Sequence, residues 1–413
     1  MPNLPAVRVS LDRAPSLQAD SGGTQRIIAL VGGPDIGLRR EMIERLARDF
    51  EMHVFGSEPA AREHLPKAAR FHHYRLSLGV NPLEDALSII TLRRMLLNIA
   101  PDIVHAYDTK PAALAQIAAR LAKVPVVIAT LPGLGSLYSD SKITTRLVRR
   151  LYESVQRFAS SKSSLTIFQN DEDLNELVRR RVVNSERSLV VAGSGVDVSA
   201  FRPGRRSEAG VMQLRTELGA AGDQLVVIMI SRMIRAKGVL DFAAAASALR
   251  ARRPGRYVFV LVGGTGGSGL EALSIRELET LRQDVNWLGE RTDVAELLAA
   301  ADIFALPTYY REGIPRVLLE AAASGLCLIA TDMPGCRDVV LEGQTGLTVP
   351  PRDPAALARA IERFEDRALS ARLAGEARRL VDRRFSLEII CAELASLYRS
   401  LSDAHLERVT RAR

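Results

Sequence analysis

With 413 residues the chain is longer than one hydrophobic core normally supports, and a hydrophobic content of 47% is enough to bury two. A formal charge of +8, carried mostly by Arg, suits a polyanionic partner: nucleic acid, anionic lipid or phosphorylated small molecules. Cys327, Cys336 and Cys391 form no C-x-x-C pair, which argues against a metal cluster and reads as reduced thiols in a cytosolic protein.

Residues 1–24 are Pro, Ser, Gly and polar residues without a period and are expected to form a flexible tail. Arg8, Asp12 and Arg13 stand where a signal peptide needs apolar residues, and no apolar run approaches the roughly 18 residues of a membrane-crossing helix. The protein is therefore expected to be soluble or to touch a membrane only from the side. Arg26–Val31 predicts a buried strand, followed by Gly32-Gly33-Pro34 and a helix from about Leu38 to Asp49. A strand, a glycine turn and a helix open a parallel α/β domain, and the glycines let backbone approach a ligand; an ordinary tight turn is the alternative.

Further strands are predicted at His53–Phe55, Ile103–His105, Val126–Ala129 and Leu165–Phe168, with Ala/Leu-rich helices between them, such as Ala112–Lys123. That alternation indicates a doubly wound sheet, whose ligands sit beyond the carboxyl ends of the strands. His105, closing one strand, and Pro132-Gly133-Leu134-Gly135, following another, are candidates for one side of such a cleft, although a single His also serves as a hydrogen-bonded structural residue. His72-His73 reads as surface. Between Lys142 and Lys162 an amphipathic helix carries Ile143, Leu147, Leu151, Val155 and Phe158 on one stripe and Arg146, Arg149, Arg150 and Arg157 elsewhere. It suits anionic lipid headgroups, or equally a core-packed helix with a solvated basic face. Asp171-Glu172-Asp173 imitates a D-x-D metal motif but follows a strand and opens a helix, so Asn170 and Asp171 read as caps and no metal is assigned.

Gly193–Asp197 and Phe201–Gly204 break the pattern as a domain connection, and Leu225–Ile230 opens a second α/β unit. Arg232 and Lys237, five apart on the loop before a helix from about Val239, are spaced to clamp a diphosphate; a solvated basic turn is the alternative. After the strand Val258–Val262, Gly264, Gly266 and Gly269 spell G-x-G-x-x-G, with Asp284 near the distance of a ribose-binding acid. A nicotinamide dehydrogenase would carry this fingerprint on the first strand of its unit, whereas here it follows the second, amid surplus turn-formers. Val285–Gly289 and Glu290–Asp293 give another strand and turn.

Ala301–Leu306 predicts a buried strand that Pro307 ends, and Arg316–Ser324 a helix that Gly325 stops. Pro315 suits the first helical turn, leaving the N–H groups of Gly313, Ile314 and Arg316 near an end that attracts anions. Glu312 and Glu320, eight apart, can both face a ligand held there and grip sugar hydroxyls; an exposed helix face supplies such pairs by chance as well. Leu326–Ala330 predicts a strand, Pro334–Asp338 a loop and Gly343–Val349 a turn and strand. The last helix, about Leu387–Ser402 with Ile390, Leu394, Leu397 and Leu401 as its stripe, is expected to pack back across the first domain.

In order, Arg232-x4-Lys237-Gly238, Gly263-Gly264 and Glu312-x7-Glu320 resemble the retaining, two-domain GT-B glycosyltransferases of family four, over about residues 26–400. Thr308–Arg316, Pro334–Asp338, Phe168-Gln169-Asn170 and Gly193–Asp197 add finer similarity, which points to the bacterial branch building glycans on undecaprenyl-diphosphate carriers. The resemblance implies two Rossmann-like doubly wound α/β domains facing a cleft: an acceptor domain at 25–204 completed by a helix at about 387–413, and a donor domain at 205–386. It implies that Arg232 and Lys237 hold the donor diphosphate, Glu320 the ribose and Glu312 the transferred sugar. The amides from Gly313 through Ile314 and Pro315 to Arg316 would meet phosphate or sugar, and Gly263, Gly264 and the loop at Arg291 would line the nucleotide. Gly32 and Gly33 would border acceptor and phosphate, with His105 and Gly133 on the acceptor side.

Many relatives carry a His two residues after the Thr of the strand ending near Thr130, where this chain has Pro132. A general-base role for that His is therefore not carried over, and His105 is no obvious substitute. The implied reaction uses a nucleotide sugar, with uridine as the expected base, and a lipid-linked saccharide acceptor, without metal, cofactor or nucleic acid. It would run in the cytoplasm, at the inner face of the membrane if the helix at 142–162 touches lipid. A phosphorylase or epimerase of the same fold and a non-catalytic scaffold of a glycan assembly complex are the alternatives.

Overall fold

The computed structural model describes residues 25–77, 79, 81–139, 143–204, 207–265 and 272–411. The tail expected at 1–24, Lys142, and Gly266 and Gly269 of the glycine-rich loop lie outside the described residues. The chain divides into two compact units, one running to Ser194 and resuming at Ile390, the other Gly195–Ile389.

In the first unit, β1 (Ile27–Val31), β2 (Glu51–Gly56), β3 (Ala69–His73), β4 (Ile103–Tyr107), β5 (Val126–Leu131), β6 (Leu165–Phe168) and β7 (Ser188–Val190) form a parallel sheet in the order β3-β2-β1-β4-β5-β6-β7. The inner strands are continuous apolar runs because helices cover both faces of a parallel sheet. In the second unit, β8 (Leu225–Ile230), β9 (Tyr257–Val262), β10 (Asn286–Trp287), β11 (Ile303–Leu306), β12 (Cys327–Thr331) and β13 (Leu347–Val349) pair in parallel as β10-β9-β8-β11-β12-β13. Strand order reverses beside β1 and beside β8, so the loops after those strands occupy the switch points where such sheets take ligands.

Most predicted elements form, with four differences. Strands β3 and β7 lie at the sheet edges; the polar composition of the first and the three-residue length of the second hid them. His72 is accordingly not a free surface residue: it is half-buried in β3, its Nε2 2.9 Å from His53 Nδ1, and burial followed by the charges of His53 and Arg70 lowers its pKa. The helix expected after Gly33 is a 3-10 turn at Pro34–Arg39 and then α1 (Arg40–Leu46); Gly37 weakens a regular helical start there, whereas Pro34 is compatible with a first turn.

Between the sheet strands run α2 (Pro82–Ile99), α3 (Thr109–Leu121), α4 (Ile143–Ser161) and α5 (Asp171–Arg179). Asn170 caps α5, its side chain accepting the Asp173 amide at 2.8 Å, and no group of metal-ligating side chains occurs among the described residues. The third difference is α4. It buries Gln156, Ala159 and Ser160 and turns its apolar stripe outward, with Ile143 74%, Leu147 61%, Leu151 52% and Phe158 59% exposed. The inward side is polar and anchored: Ser160 donates to the Val182 carbonyl at 2.8 Å, and Tyr138 donates to Glu153 at 3.1 Å. A core-packed helix with its basic face in solvent is therefore not what forms.

The second unit adds α6 (Val239–Arg252) and α7 (Arg316–Ala323). Finally α8 (Leu387–Arg411) runs well past Ser402, and its buried side in the first unit is Ile390, Cys391, Leu394, Ala395, Tyr398 and Ser402. Leu397 and Leu401 are only partly buried, so the stripe is rotated from its predicted line. Within the second unit its first and last segments pair: Val196 N–H donates to Phe385 O at 3.0 Å and Leu387 N–H to Val196 O at 2.9 Å.

Candidate active site

In the second unit the chemistry gathers on four loops that follow the carboxyl ends of β8, β9, β11 and β12. After β8 the chain makes a 3-10 turn at Arg235–Lys237 and reaches Gly238 with φ +79°. A Cβ there would lie 2.0 Å from the Pro307 carbonyl oxygen, so only glycine lets the cationic turn rest on the end of β11. The Ala236 carbonyl accepts Tyr309 N–H at 2.8 Å, Tyr310 N–H at 3.0 Å and the Thr308 hydroxyl at 3.1 Å, which locks the cationic and acidic loops together.

On that frame Lys237 Nζ pairs with the Glu312 carboxylate, both side chains nearly buried at 12% and 14% exposure. Lys237 Nζ also lies 5.4 Å from the centre of the Tyr310 ring, and Arg232 hydrogen-bonds the Tyr310 hydroxyl. Burial, then the Glu312 charge, raises the Tyr310 pKa against the opposing pull of Arg232. Pro315 is the N-cap of α7, not a residue of its first turn, and its carbonyl accepts Leu318 N–H at 3.0 Å. Gly313, Ile314 and Pro315 are buried, and Arg316 Nε holds Glu320 at 2.8 Å.

Two further loops brace this arrangement. A Cβ on Gly335 would fall 1.4 Å from the Gly313 carbonyl oxygen, so the Pro334–Asp338 loop seats directly on the acidic segment. Cys336 is fully buried there, and burial, then Glu312, raises its thiol pKa so far that it stays protonated at neutral pH. Gly263 N–H donates to Gly289 O at 2.7 Å, and Gly264 O accepts Met233 N–H at 3.2 Å, bringing the glycine pair against the cationic loop. Arg291 forms a fork with Asp293, at 2.8 and 2.5 Å. The structure thus brings Arg232, Lys237, Glu312, Gly263 and Gly264 into one connected set, with Arg316 and Glu320 paired on the adjoining helix and Arg291 turned to its own acid. Tyr310 was not singled out by spacing, although it lies inside the most distinctive stretch of the sequence.

The first unit holds its own cluster beyond β1 and β4. Tyr74 donates to Gly32 O at 2.9 Å, and Gly33 N–H donates to Asp108 at 3.3 Å. Asp108 also pairs with Arg39 at 3.1 Å, and the Arg39 guanidinium stacks 4.4 Å from the Tyr107 ring centre. Asp108 has φ +70°, an uncommon conformation for a non-glycine residue, directly after a strand end; that position was the signal available in sequence. His105 has no exposed surface: Nδ1 is 2.6 Å from the Tyr398 hydroxyl and Nε2 2.7 Å from Thr130 Oγ1. Burial, then the Arg39 charge, lowers its pKa to about 3. Both ring nitrogens are engaged, so the geometry makes it a neutral packing residue that offers nothing to a ligand directly. Gly133 is half-buried in the loop after β5.

Residues 28–170 match the glycosyl transferase 4-like family and residues 224–366 the glycosyl transferases group 1 family. The chain is 30% identical over 301 residues to a Campylobacter jejuni N,N'-diacetylbacillosaminyl-diphospho-undecaprenol alpha-1,3-N-acetylgalactosaminyltransferase, covering 72% of this chain and 77% of that protein. It is 28% identical over 292 residues to an Escherichia coli UDP-Gal:alpha-D-GlcNAc-diphosphoundecaprenol alpha-1,3-galactosyltransferase, covering 70% and 73%. Among solved structures, Anabaena HepE in complex with UDP-glucose superposes with a TM-score of 0.73 at 20% identity, over 91% of this chain and 99% of that one.

Proposed function

Since the chain belongs to the glycosyl transferases group 1 family and is a glycosyltransferase of GT-B fold, we propose that it transfers a sugar from a UDP-linked donor to a saccharide carried on undecaprenyl diphosphate, with retention of configuration. The names of both curated relatives support the acceptor class, and that of the E. coli relative supports the uridine donor. Arg232 and Lys237 take the donor diphosphate, Glu312 a hydroxyl of the transferred sugar, and Glu320, steadied by Arg316, the ribose hydroxyls. Gly263 and Gly264 border the nucleotide. Gly32 and Gly33 border the acceptor.

The observation that carries this reading is the Lys237–Glu312 pair beside Arg232 at the switch point after β8. When the bond between anomeric carbon and diphosphate oxygen breaks, its electron pair goes to the diphosphate. The fixed cations and the N-terminal end of α7 stabilise that charge without reorganising. The acceptor hydroxyl oxygen forms the new bond on the same face, and its proton passes to the departing diphosphate. Charge stabilisation of this kind takes the place of a divalent ion, so activity is expected to persist in EDTA. Removing one such donor typically costs about 10²- to 10³-fold in turnover, which is the loss expected for Lys237→Ala in a radiolabelled-donor assay. A folded variant turning over near the wild-type rate would remove the mechanism.

On this reading the reaction runs at the inner surface of an anionic membrane, touched by α4. Its exposed apolar stripe with Arg146, Arg149, Arg150 and Arg157 around it supports that contact, and no helix among the described residues is long and apolar enough to cross a membrane.

A further inference from the structure

A second cationic hollow lies in the first unit, at the amino ends of the strands. It has a volume of about 640 Å³ and opens where β5, β6 and β7 begin, at Val126, Ser164 and Arg187. Every residue proposed for transfer follows a carboxyl strand end, so this cavity lies at the other edge of its sheet from the first-unit loops described above.

Its walls are lopsided in charge. Arg120 from the last turn of α3, Lys162 just past α4, Arg187 before β7 and Arg408 from α8 line it with His405 and a single carboxylate, Glu186. None of these four cations makes an ion pair among the described residues. Arginines elsewhere in the unit are commonly paired, as Arg26 is with Asp403, Arg180 with Glu153 and Arg399 with Asp49. A helix C-terminus favours one cation in its last turn, which accounts for Arg120 or Arg408 taken singly. It does not account for four cations converging on one hollow from separate elements, where mutual repulsion is focused by the concave wall. Ser164 Oγ accepts the Val127 amide at 3.1 Å and keeps its own proton to donate.

We propose that this cavity binds a phosphate-bearing anion, distinct from the donor diphosphate. Arginine forks from α3, from the turn before β7 and from α8 match phosphate oxygens, and the volume holds one or two phosphate groups with part of what they are attached to. The group can come from an anionic lipid headgroup or from a soluble phosphate compound. α4, with its apolar stripe, ends at the rim.

The test is calorimetric titration of inorganic pyrophosphate into the full-length protein at constant ionic strength, beside flotation with phosphatidylglycerol-containing vesicles. All four cations are exposed, so Arg187→Gln/Arg408→Gln is expected to fold, with Arg120→Gln/Lys162→Gln as a second pair. Wild type should show two pyrophosphate sites, of which Lys237→Ala removes one and either cavity pair weakens the other by about tenfold or more. Weakened pyrophosphate binding with unchanged flotation identifies a soluble ligand, and weakened flotation identifies a headgroup. If both cavity pairs bind pyrophosphate and vesicles as wild type does, the proposal is overturned. Transfer to a water-soluble acceptor, kept by the cavity pairs and lost by Lys237→Ala, reads the proposed function separately.

Discussion

His105 ties the middle of β4 to α8 through the Tyr398 hydroxyl and to β5 through Thr130, all three side chains being buried. Its pKa, held near 3 by burial, gives that tie a pH dependence whose sign can be worked out. An unfolded chain protonates this imidazole below its ordinary pKa of about 6.5, whereas the folded protein does so only near 3. The unfolded state thus binds more protons between those limits, and the stability tied to a neutral His105 is complete above the window and lost as pH falls through it. His105→Gln should cost roughly 1–3 kcal/mol near neutral pH, since Tyr398 and Thr130 lose a shaped partner. The deficit should narrow as pH drops toward about 4. Equal Tm differences at both pH values would refute the linkage. At the same scale, Lys237 and Glu312 already hold each other in place, so a bound donor re-partners charges that the fold has aligned.

Helix α4 carries the sharpest argument at the scale of elements. A helix normally buries its apolar stripe, because each large side chain removed from water contributes about 1.5–3 kcal/mol. Here Ile143, Leu147, Leu151, Val155 and Phe158 remain outside, while Gln156 and Ser160 go in. A stripe left exposed in this way is expected to gain its burial in a partner phase, and on the proposed reading, with arginines around it, that phase is an anionic bilayer. Leu147→Asp/Leu151→Asp should leave Tm nearly unchanged, within about 0.5 kcal/mol per site as for other surface changes, while weakening flotation with anionic vesicles. A clear fall in Tm would mean that the stripe is packed after all. The short helix α7 contrasts with this: it buries Leu318, Leu319 and three alanines and pairs Arg316 with Glu320.

At the scale of the whole molecule, two sheets of the same winding each present a glycine-bearing loop at a switch point, Gly32-Gly33 in one and Lys237-Gly238 in the other. The residues proposed to hold the donor all belong to the unit Gly195–Ile389, so UDP should slow amide exchange at Ile234–Gly238 and Gly313–Arg316, and Lys237→Ala should abolish that protection. Protection confined to the first unit would contradict the assignment. Much of this was legible in the chain itself. Apolar runs such as Leu225–Ile230 and Cys327–Thr331 must be buried strands wherever they lie, and cations beside glycine at a strand end are local facts. The order of Arg232, Lys237, Glu312 and Glu320 therefore marked, without coordinates, the loops proposed here to hold the donor. Other features depend on which surfaces meet. Edge strands β3 and β7 borrow their pairing from neighbours, and Asp108 reaches Arg39 only because β4 lies beside β1. His105 changes from candidate to packing residue when Tyr398 arrives from nearly three hundred residues away. Local pattern determined the inner strands and the acidic and basic loops. Tertiary contact decided which polar groups are sealed, which face of α4 looks outward and where unpaired cations converge, because burial belongs to pairs of distant segments and not to any one of them.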